Sequence, residues 1–235
     1  MIKQAIIPLA GLGTRLLPLT SVFPKELLPI NGKPGIEYIL DECLEAGIKE
    51  VIFIISKKKE MIKFVYQNKP LGTGDAVLKA KKFIKDDYFL MLLPDDLIIK
   101  NNCSSSMIKI HKKYNSSVMA SMKVKRNSVT RWGIYKFSKN LDKNNYLIDD
   151  VVEKPSIKKA PSNKAVIGRY ILPKKIFKKL LKQEPGKGGE IHITDAIQSL
   201  IKESEKFIAH NFSGKYLDCG TMKGYIKSSM EISKL

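Results

Sequence analysis

An apolar run that stops at two glycines constrains this chain most. Ala5-Ile6-Ile7-Pro8-Leu9 passes directly into Ala10-Gly11-Leu12-Gly13-Thr14-Arg15-Leu16. A short continuous apolar run reads as a strand buried on both faces. The glycine turn after it leaves bare backbone N–H groups at the carboxyl edge of a sheet, a place to hold phosphate. Arg15 adds a planar donor fork, and Lys25, within Pro24-Lys25-Glu26-Leu27-Leu28-Pro29, adds a point charge. Position 16 is leucine, so the third glycine of a dinucleotide fingerprint is missing, and no Gly-Lys-Ser/Thr of a Walker loop follows. A tight turn without a ligand is the alternative reading. Two cations in an otherwise apolar segment argue against it.

Downstream, Pro34, Ile36, Ile39, Leu40, Cys43 and Leu44 recur at helical spacing over 34–46, with Pro34 suited to a first turn and Gly47 to a C-terminal cap. Val51 to Ile55 is a second buried strand, which completes a βαβ unit. Further strands are expected at 88–93, 117–124, 132–137, 146–153, 165–172 and 207–212. A glycine loop at 70–77 is expected to open a helix that runs to about Ile84, and further helices are expected at 104–114, 174–182 and 190–204 and at the end of the chain. The pattern predicts an α/β fold: a Rossmann-like mixed, mainly parallel open sheet with helices on both faces. With no linker or repeat, residues 1–235 read as a single domain.

One connection resists this scheme. Met61 to Tyr66 reads as a third strand, yet only Ser56 to Glu60 separate it from the second. A parallel crossover needs about a dozen residues. Either the two strands form an antiparallel hairpin, or one is not a strand, or a helical segment has been lost.

The formal charge of +19 raises nucleic acid as a partner, but only four of the 42 basic residues are arginine: Arg15, Arg126, Arg131 and Arg169. The lysines are spread over the whole chain, which suits a compositional bias on solvated surfaces better than a focused patch. No nucleic-acid partner is expected, although the basic field favours arrival of anionic small molecules. There is no 18-residue apolar run and no signal-peptide order at the N-terminus, so no membrane association and a cytoplasmic location are expected. Cys43, Cys103 and Cys219 show no metal spacing and read as reduced thiols.

Several carboxylates stand at strand ends. Asp95-Asp96 closes the apolar run Tyr88 to Leu93, at the ligand-binding edge of an open sheet. Magnesium takes oxygen ligands and shares phosphate oxygens, so Asp95 is a candidate ligand and Asp218, in a similar context before Gly220, a second. Turn or cap roles are the alternatives. Glu153-Lys154-Pro155 ends another strand, and an acceptor beside a cation suits a sugar hydroxyl beside a phosphate; a surface ion pair is the bland reading. Gln67 precedes a glycine loop, and its amide can pair both ways with a base edge. His111, His192 and His210 fall on expected helix or strand surfaces and take no catalytic role; Trp132 reads as a packing residue beside Gly133.

Seven stretches, in order, resemble the sugar-1-phosphate nucleotidyltransferases. They are Leu9-Ala10-Gly11-Leu12-Gly13-Thr14-Arg15 with Pro24-Lys25-Glu26 and Leu28-Pro29; Leu92-Leu93-Pro94-Asp95; and Val152-Glu153-Lys154-Pro155. Then come Ala160-Pro161-Ser162-Asn163; Val166-Ile167-Gly168-Arg169-Tyr170; Gly189-Glu190-Ile191 with Thr194-Asp195-Ala196-Ile197; and Asp218-Cys219-Gly220. The spacing from Glu-Lys-Pro to Gly-Arg-Tyr resembles the uridylyl branch. The resemblance implies a glycosyltransferase-A-like fold and transfer of a uridylyl group from UTP to glucose 1-phosphate with Mg2+, with dTTP use or a turnover-deficient binding protein as alternatives. It implies that Ala10, Gly11, Leu12, Gly13 and Thr14 wrap the nucleotide, Arg15 and Lys25 meet its phosphates, and Gln67 and Gly72 read uracil. Asp95 and Asp218 would hold the metal, Gly133, Glu153 and Gly168 the glucose, and Lys154 its phosphate. Two departures stand out. The family's long helical segment is shortened here to 56–60, which exposes sheet or alters homo-oligomerisation. Asp75 stands where the uridylyl branch usually carries histidine or a neutral polar residue.

Overall fold

The computed structural model of the chain describes residues 2–9, 11, 13–17, 19–21, 23–55, 65–67 and 69–234. The chain runs β1 (Gln4–Pro8), β2 (Pro29–Ile30), β3 (Lys33–Pro34), α1 (Gly35–Glu45), β4 (Glu50–Ile55), β5 (Val65–Tyr66), α2 (Thr73–Lys79), β6 (Tyr88–Leu92) and β7 (Asp96–Ile99). It continues through α3 (Cys103–Tyr114), β8 (Ser117–Lys123), β9 (Gly133–Asn140), β10 (Asn145–Glu153), β11 (Lys164–Pro173), α4 (Ile176–Leu180), α5 (Ile193–Lys202), β12 (Phe207–Asn211), β13 (Lys215–Asp218) and α6 (Met222–Ile232).

Nine strands form one sheet in the order β5-β4-β1-β6-β11-β8-β12-β10-β9, and β9 also pairs with β11. The first four are parallel, as the apolar runs of β1, β4 and β6 predict. From β11 onward the pairing is antiparallel, except that β12 runs parallel to β8. The expected mainly parallel open sheet is therefore corrected. Only half of it is parallel, and the return of β9 to β11 at Ala165↔Ile134 closes the other half into a barrel-like ring. Two local causes act. The alternating strands β9 and β10 are joined by a short connection, which only an antiparallel pair accepts. In β11, Ile167 pairs with Ala120 and Tyr170 with Met119, so Gly168 and Arg169 bulge out. A bulge bends the strand and increases its twist.

A second correction concerns the short connection. β5 pairs with β4 in parallel, Ile54↔Val65 and Ile55↔Tyr66, so the two are not a hairpin. Among the described residues the strand comprises Val65 and Tyr66. Ser56 to Glu60, and the Met61 to Phe64 part of the expected strand, lie outside the described residues.

Alternate residues of the sheet feed two cores. Ile6, Phe89, Met91, Met119 and Val166 face one side, packed with α2, α4 and α5 through Val77, Phe177 and Ile197. Ala5, Ile7, Leu90, Leu92, Val118 and Ile167 face the other, packed with α1, α3 and α6 through Ile39, Met107 and Ile232. Each fully buried side chain of this kind stabilises by roughly 1.5–3 kcal/mol. The three cysteines are buried free thiols. Among the described residues no helix is long and apolar enough to cross a membrane.

Candidate active site

β1 delivers the glycine loop to the carboxyl edge of the parallel half-sheet. Gly13 takes φ +67°, open to glycine at little cost, and a Cβ there would lie 2.9 Å from Thr20 Cγ2. The Thr20 hydroxyl donates to the Gly13 carbonyl at 2.7 Å and pins the turn. Thr14–Leu16 and Lys25–Leu27 are single 3-10 turns that present Arg15 and Lys25. Ala10 and Leu12 lie outside the described residues. Every other residue expected at the site, from Gly11, Gly13, Thr14 and Arg15 to Asp218, lines one cavity of about 790 Å3.

Asp95 follows β6, as its sequence context predicts. Lys25 Nζ lies 3.1 Å and Arg15 Nη2 3.9 Å from its Oδ2. Burial pushes the Asp95 carboxyl up, but the attraction and hydrogen bond of Lys25, with help from Arg15, hold it below its ordinary value. Asp96 behaves oppositely. Burial and the Asp95 charge push it up to about 6, against hydrogen bonds donated by Tyr216 (2.6 Å) and the Gly168 N–H (2.8 Å).

A two-stranded ribbon that the sequence does not announce brings in Asp218. β7 and β13 pair antiparallel with Asp218 opposite Asp96, and the Cys219 N–H donates to the Asp95 carbonyl at 2.8 Å. Asp218 accepts from the Gly220 N–H at 2.9 Å and pairs with Arg131 at 3.0 Å. Asp95 Oδ2, Asp218 Oδ1 and Arg15 Nη2 converge on one point, the place of an absent Cβ on Gly220, at 2.8, 3.3 and 3.4 Å. Among the described residues no group of three or more His, Cys, Asp or Glu forms a metal cage. The donor set is thus two hard carboxylates, which suits an ion that brings waters and phosphate oxygens as its remaining ligands.

The opposite wall is set by strand register. Glu153 pairs with Gly133 across β10 and β9, and its Oε2 accepts the Thr194 hydroxyl at 3.0 Å. Lys154 Nζ lies 3.6 Å from Glu153 Oε1, and Lys154 takes φ +44°, a conformation that costs a non-glycine residue energy. Gly168 sits in the bulge of β11, where a Cβ would lie 2.5 Å from Leu93 Cβ, so no larger residue fits. Beneath it, Arg169 is fully buried and holds both oxygens of Glu42 on α1, with its Nη2 2.8 Å from Oε2. The same guanidinium donates to the carbonyls of Leu93 and Gly168, and Glu42 also accepts from Ser104.

At the far end Gln67 and Gly72 line the same cavity. The Gln67 amide donates to Asp75 at 2.7 Å and to the Gly72 carbonyl at 3.1 Å. Several lining residues received no role from the sequence: Asp96, Arg131, Thr194 and Tyr216. Trp132 does more than pack; it lines the cavity and meets Tyr216 edge-on at 5.7 Å. The histidines are also corrected: His192 and His210 are buried, and His192 lines the cavity.

A model of the nucleotidyl transferase family matches residues 4–234. UTP–glucose-1-phosphate uridylyltransferase 2 of Streptococcus pyogenes serotype M3 is 36% identical, over 98% of this chain and 90% of its own length. That alignment spans 269 positions, more than the 235 residues here, so this chain lacks residues that the relative carries. A crystal structure of UDP-glucose pyrophosphorylase complexed with UDP-glucose superposes with a TM-score of 0.93 at 36% identity, covering 100% of this chain and 99% of the other. A UTP-bound UGPase from Acinetobacter baumannii reaches a TM-score of 0.88 at 32% identity, covering 99% and 93%. Matched over nearly its whole length, the chain belongs to the nucleotidyl transferase family.

Proposed function

We propose that the cavity transfers a uridylyl group from UTP to glucose 1-phosphate, giving UDP-glucose and pyrophosphate. One observation carries this reading. The cations Arg15 and Lys25 and the carboxylates Asp95 and Asp218 share a cavity with Glu153, Lys154 and Gly168, room for two anionic substrates side by side. A phosphate oxygen of the sugar attacks the α-phosphorus of the nucleotide, the bond to the β-phosphate oxygen breaks, and pyrophosphate leaves. Both reactants are anions, so charge neutralisation and alignment supply the catalysis and no protein nucleophile is needed.

Gly11, Gly13 and Thr14 wrap the nucleotide, with Ala10 and Leu12 assigned beside them. Arg15 and Lys25 meet its phosphates, and Gln67 and Gly72 face its base. Gly133, Glu153 and Gly168 receive the glucose, and Lys154 its phosphate. Asp95 and Asp218 would hold Mg2+, which supplies positive charge to phosphate oxygens when bound. Lys25 balances Asp95 and Arg131 balances Asp218, and both cations would be at hand for phosphate oxygens beside a bound ion. The buried free thiols suit a cytoplasmic setting for a single domain.

Pyrophosphate release with glucose 1-phosphate and Mg2+, measured across the nucleoside triphosphates, tests the reading. UTP should give the highest kcat/KM. No release with any of them, with UDP-glucose still bound, would leave a binding protein; fastest release with dTTP would reassign the base.

A further inference from the structure

Behind the cavity's base end lies a buried carboxylate that the reaction does not use. Asp75 is 4% exposed and lies behind Gln67, which is 6% exposed. It pairs with Lys79 through Oδ1 at 2.9 Å and accepts the Gln67 amide through Oδ2. The Gly72 carbonyl accepts from the same amide nitrogen. A carboxylate and a carbonyl only accept. The end of the Gln67 side chain that meets both must therefore be NH2. Its Oε1 accepts no hydrogen bond from the described residues, and Gln67 lines the cavity. An unopposed glutamine can turn its amide over and offer either donor or acceptor. This one is locked.

We propose that Asp75 is a positioning residue that fixes the polarity of the Gln67 amide, so that the cavity offers an acceptor and selects a pyrimidine bearing N3–H over cytosine. Uracil and thymine carry a donor at N3, whereas cytosine carries a lone pair there. An acceptor facing that lone pair leaves both groups unpaired, which a buried site penalises. The same lock explains why a carboxylate is tolerated beside an anionic nucleotide. Asp75 is balanced by Lys79 and shielded from the ligand by the amide it holds.

The proposal rests on the nucleotide reading of the cavity. Its test is the ratio of kcat/KM for UTP over CTP, with glucose 1-phosphate, in folded variants checked by thermal melting. Asp75→Ala should lower the ratio by roughly tenfold, with the loss in the KM of the triphosphate rather than in kcat. Asp75→Asn keeps an acceptor oxygen and should restore most of it. A folded Asp75→Ala protein with the parental ratio overturns the proposal. Should that variant not fold, Asp75→Leu combined with Lys79→Met removes the whole ion pair at near-constant volume and leaves the Gln67 amide unlocked. The ratio should fall there by a similar factor. A parental ratio in the folded double variant overturns the proposal equally. If the parental protein releases no pyrophosphate at all, the reaction assignment alone fails. Asp75 is then judged by calorimetric binding of UDP-glucose against CDP-glucose, where the same order of variants is expected and its absence refutes the lock.

Discussion

At the proposed phosphate end of the cavity Lys25 and Arg15 lean on Asp95, 3.1 and 3.9 Å away, and Arg131 leans on Asp218. At the proposed sugar end Glu153 is set opposite Gly133 by strand register, and Gly168 is set by a bulge anchored on a buried arginine. The first arrangement consists of side-chain ion pairs that an incoming polyphosphate and metal can exchange. The second is written into backbone pairing, which resists rearrangement more than side-chain ion pairs do. Charge has to move during phosphoryl transfer, while the sugar only has to be held. The half that handles charge is accordingly the adjustable one.

The largest expected effect breaks the adjustable half. Asp95→Asn should cut turnover by on the order of a thousandfold, with thermal stability little changed, because it removes the charge that Lys25 pairs with and that a bound metal would need. Near-parental pyrophosphate release would show that Asp95 is not a metal ligand. Next comes the anchor of the rigid half. Arg169→Ala leaves Glu42 buried and unpaired, which should cost about 3–5 kcal/mol in urea unfolding. Replacing Arg169 and Glu42 together by methionine should cost less than the single change; equal losses would mean that the pair is not the anchor. Glu153→Gln sharpens the contrast. Loss of one charged acceptor should raise KM for glucose 1-phosphate roughly ten- to a hundredfold and leave KM for UTP alone. A parallel rise in both would contradict the division into two ends.

The smallest effect lies away from both ends. Burial holds His210 below its ordinary value of 6.5, and its Nδ1 lies 2.8 Å from Asn145 Oδ1. The folded state therefore binds fewer protons than the unfolded state, and stability falls as pH drops through the ordinary value. His210→Gln should flatten that part of the melting-temperature profile between about pH 5 and 7. An unaltered slope would place the acid sensitivity elsewhere.

The parallel half was legible because its determinants are local. The apolar runs of β1, β4 and β6 name buried strands, and Pro34 with Gly47 brackets α1. The residues of the site were legible as strand ends followed by Gly, Asp or Glu-Lys. What escaped depends on partners far away in sequence. The four residues of β7 and of β13 carry no strand signal alone and exist through each other. The role of Arg169 shows only once Glu42, far away in sequence, is placed against it. The bulge at Gly168 cannot be seen in a single strand, because a bulge is a mismatch between two. Closure of the ring escaped for the same reason, since β9 meets β11 at a single register pair.

The ribbon of β7 and β13 also has a temporal meaning. It joins positions about 120 residues apart and carries Asp218 to Asp95. Contacts of such separation form late, because the entropy of closing the intervening loop must be met before they contribute. On a ribosome the glycine loop, Lys25 and Asp95 emerge long before residue 218. Until then the chain lacks Asp218, the second of the two carboxylates. The order of synthesis thus places the second carboxylate last, so that the pair is completed only when nearly the whole chain is present to surround it.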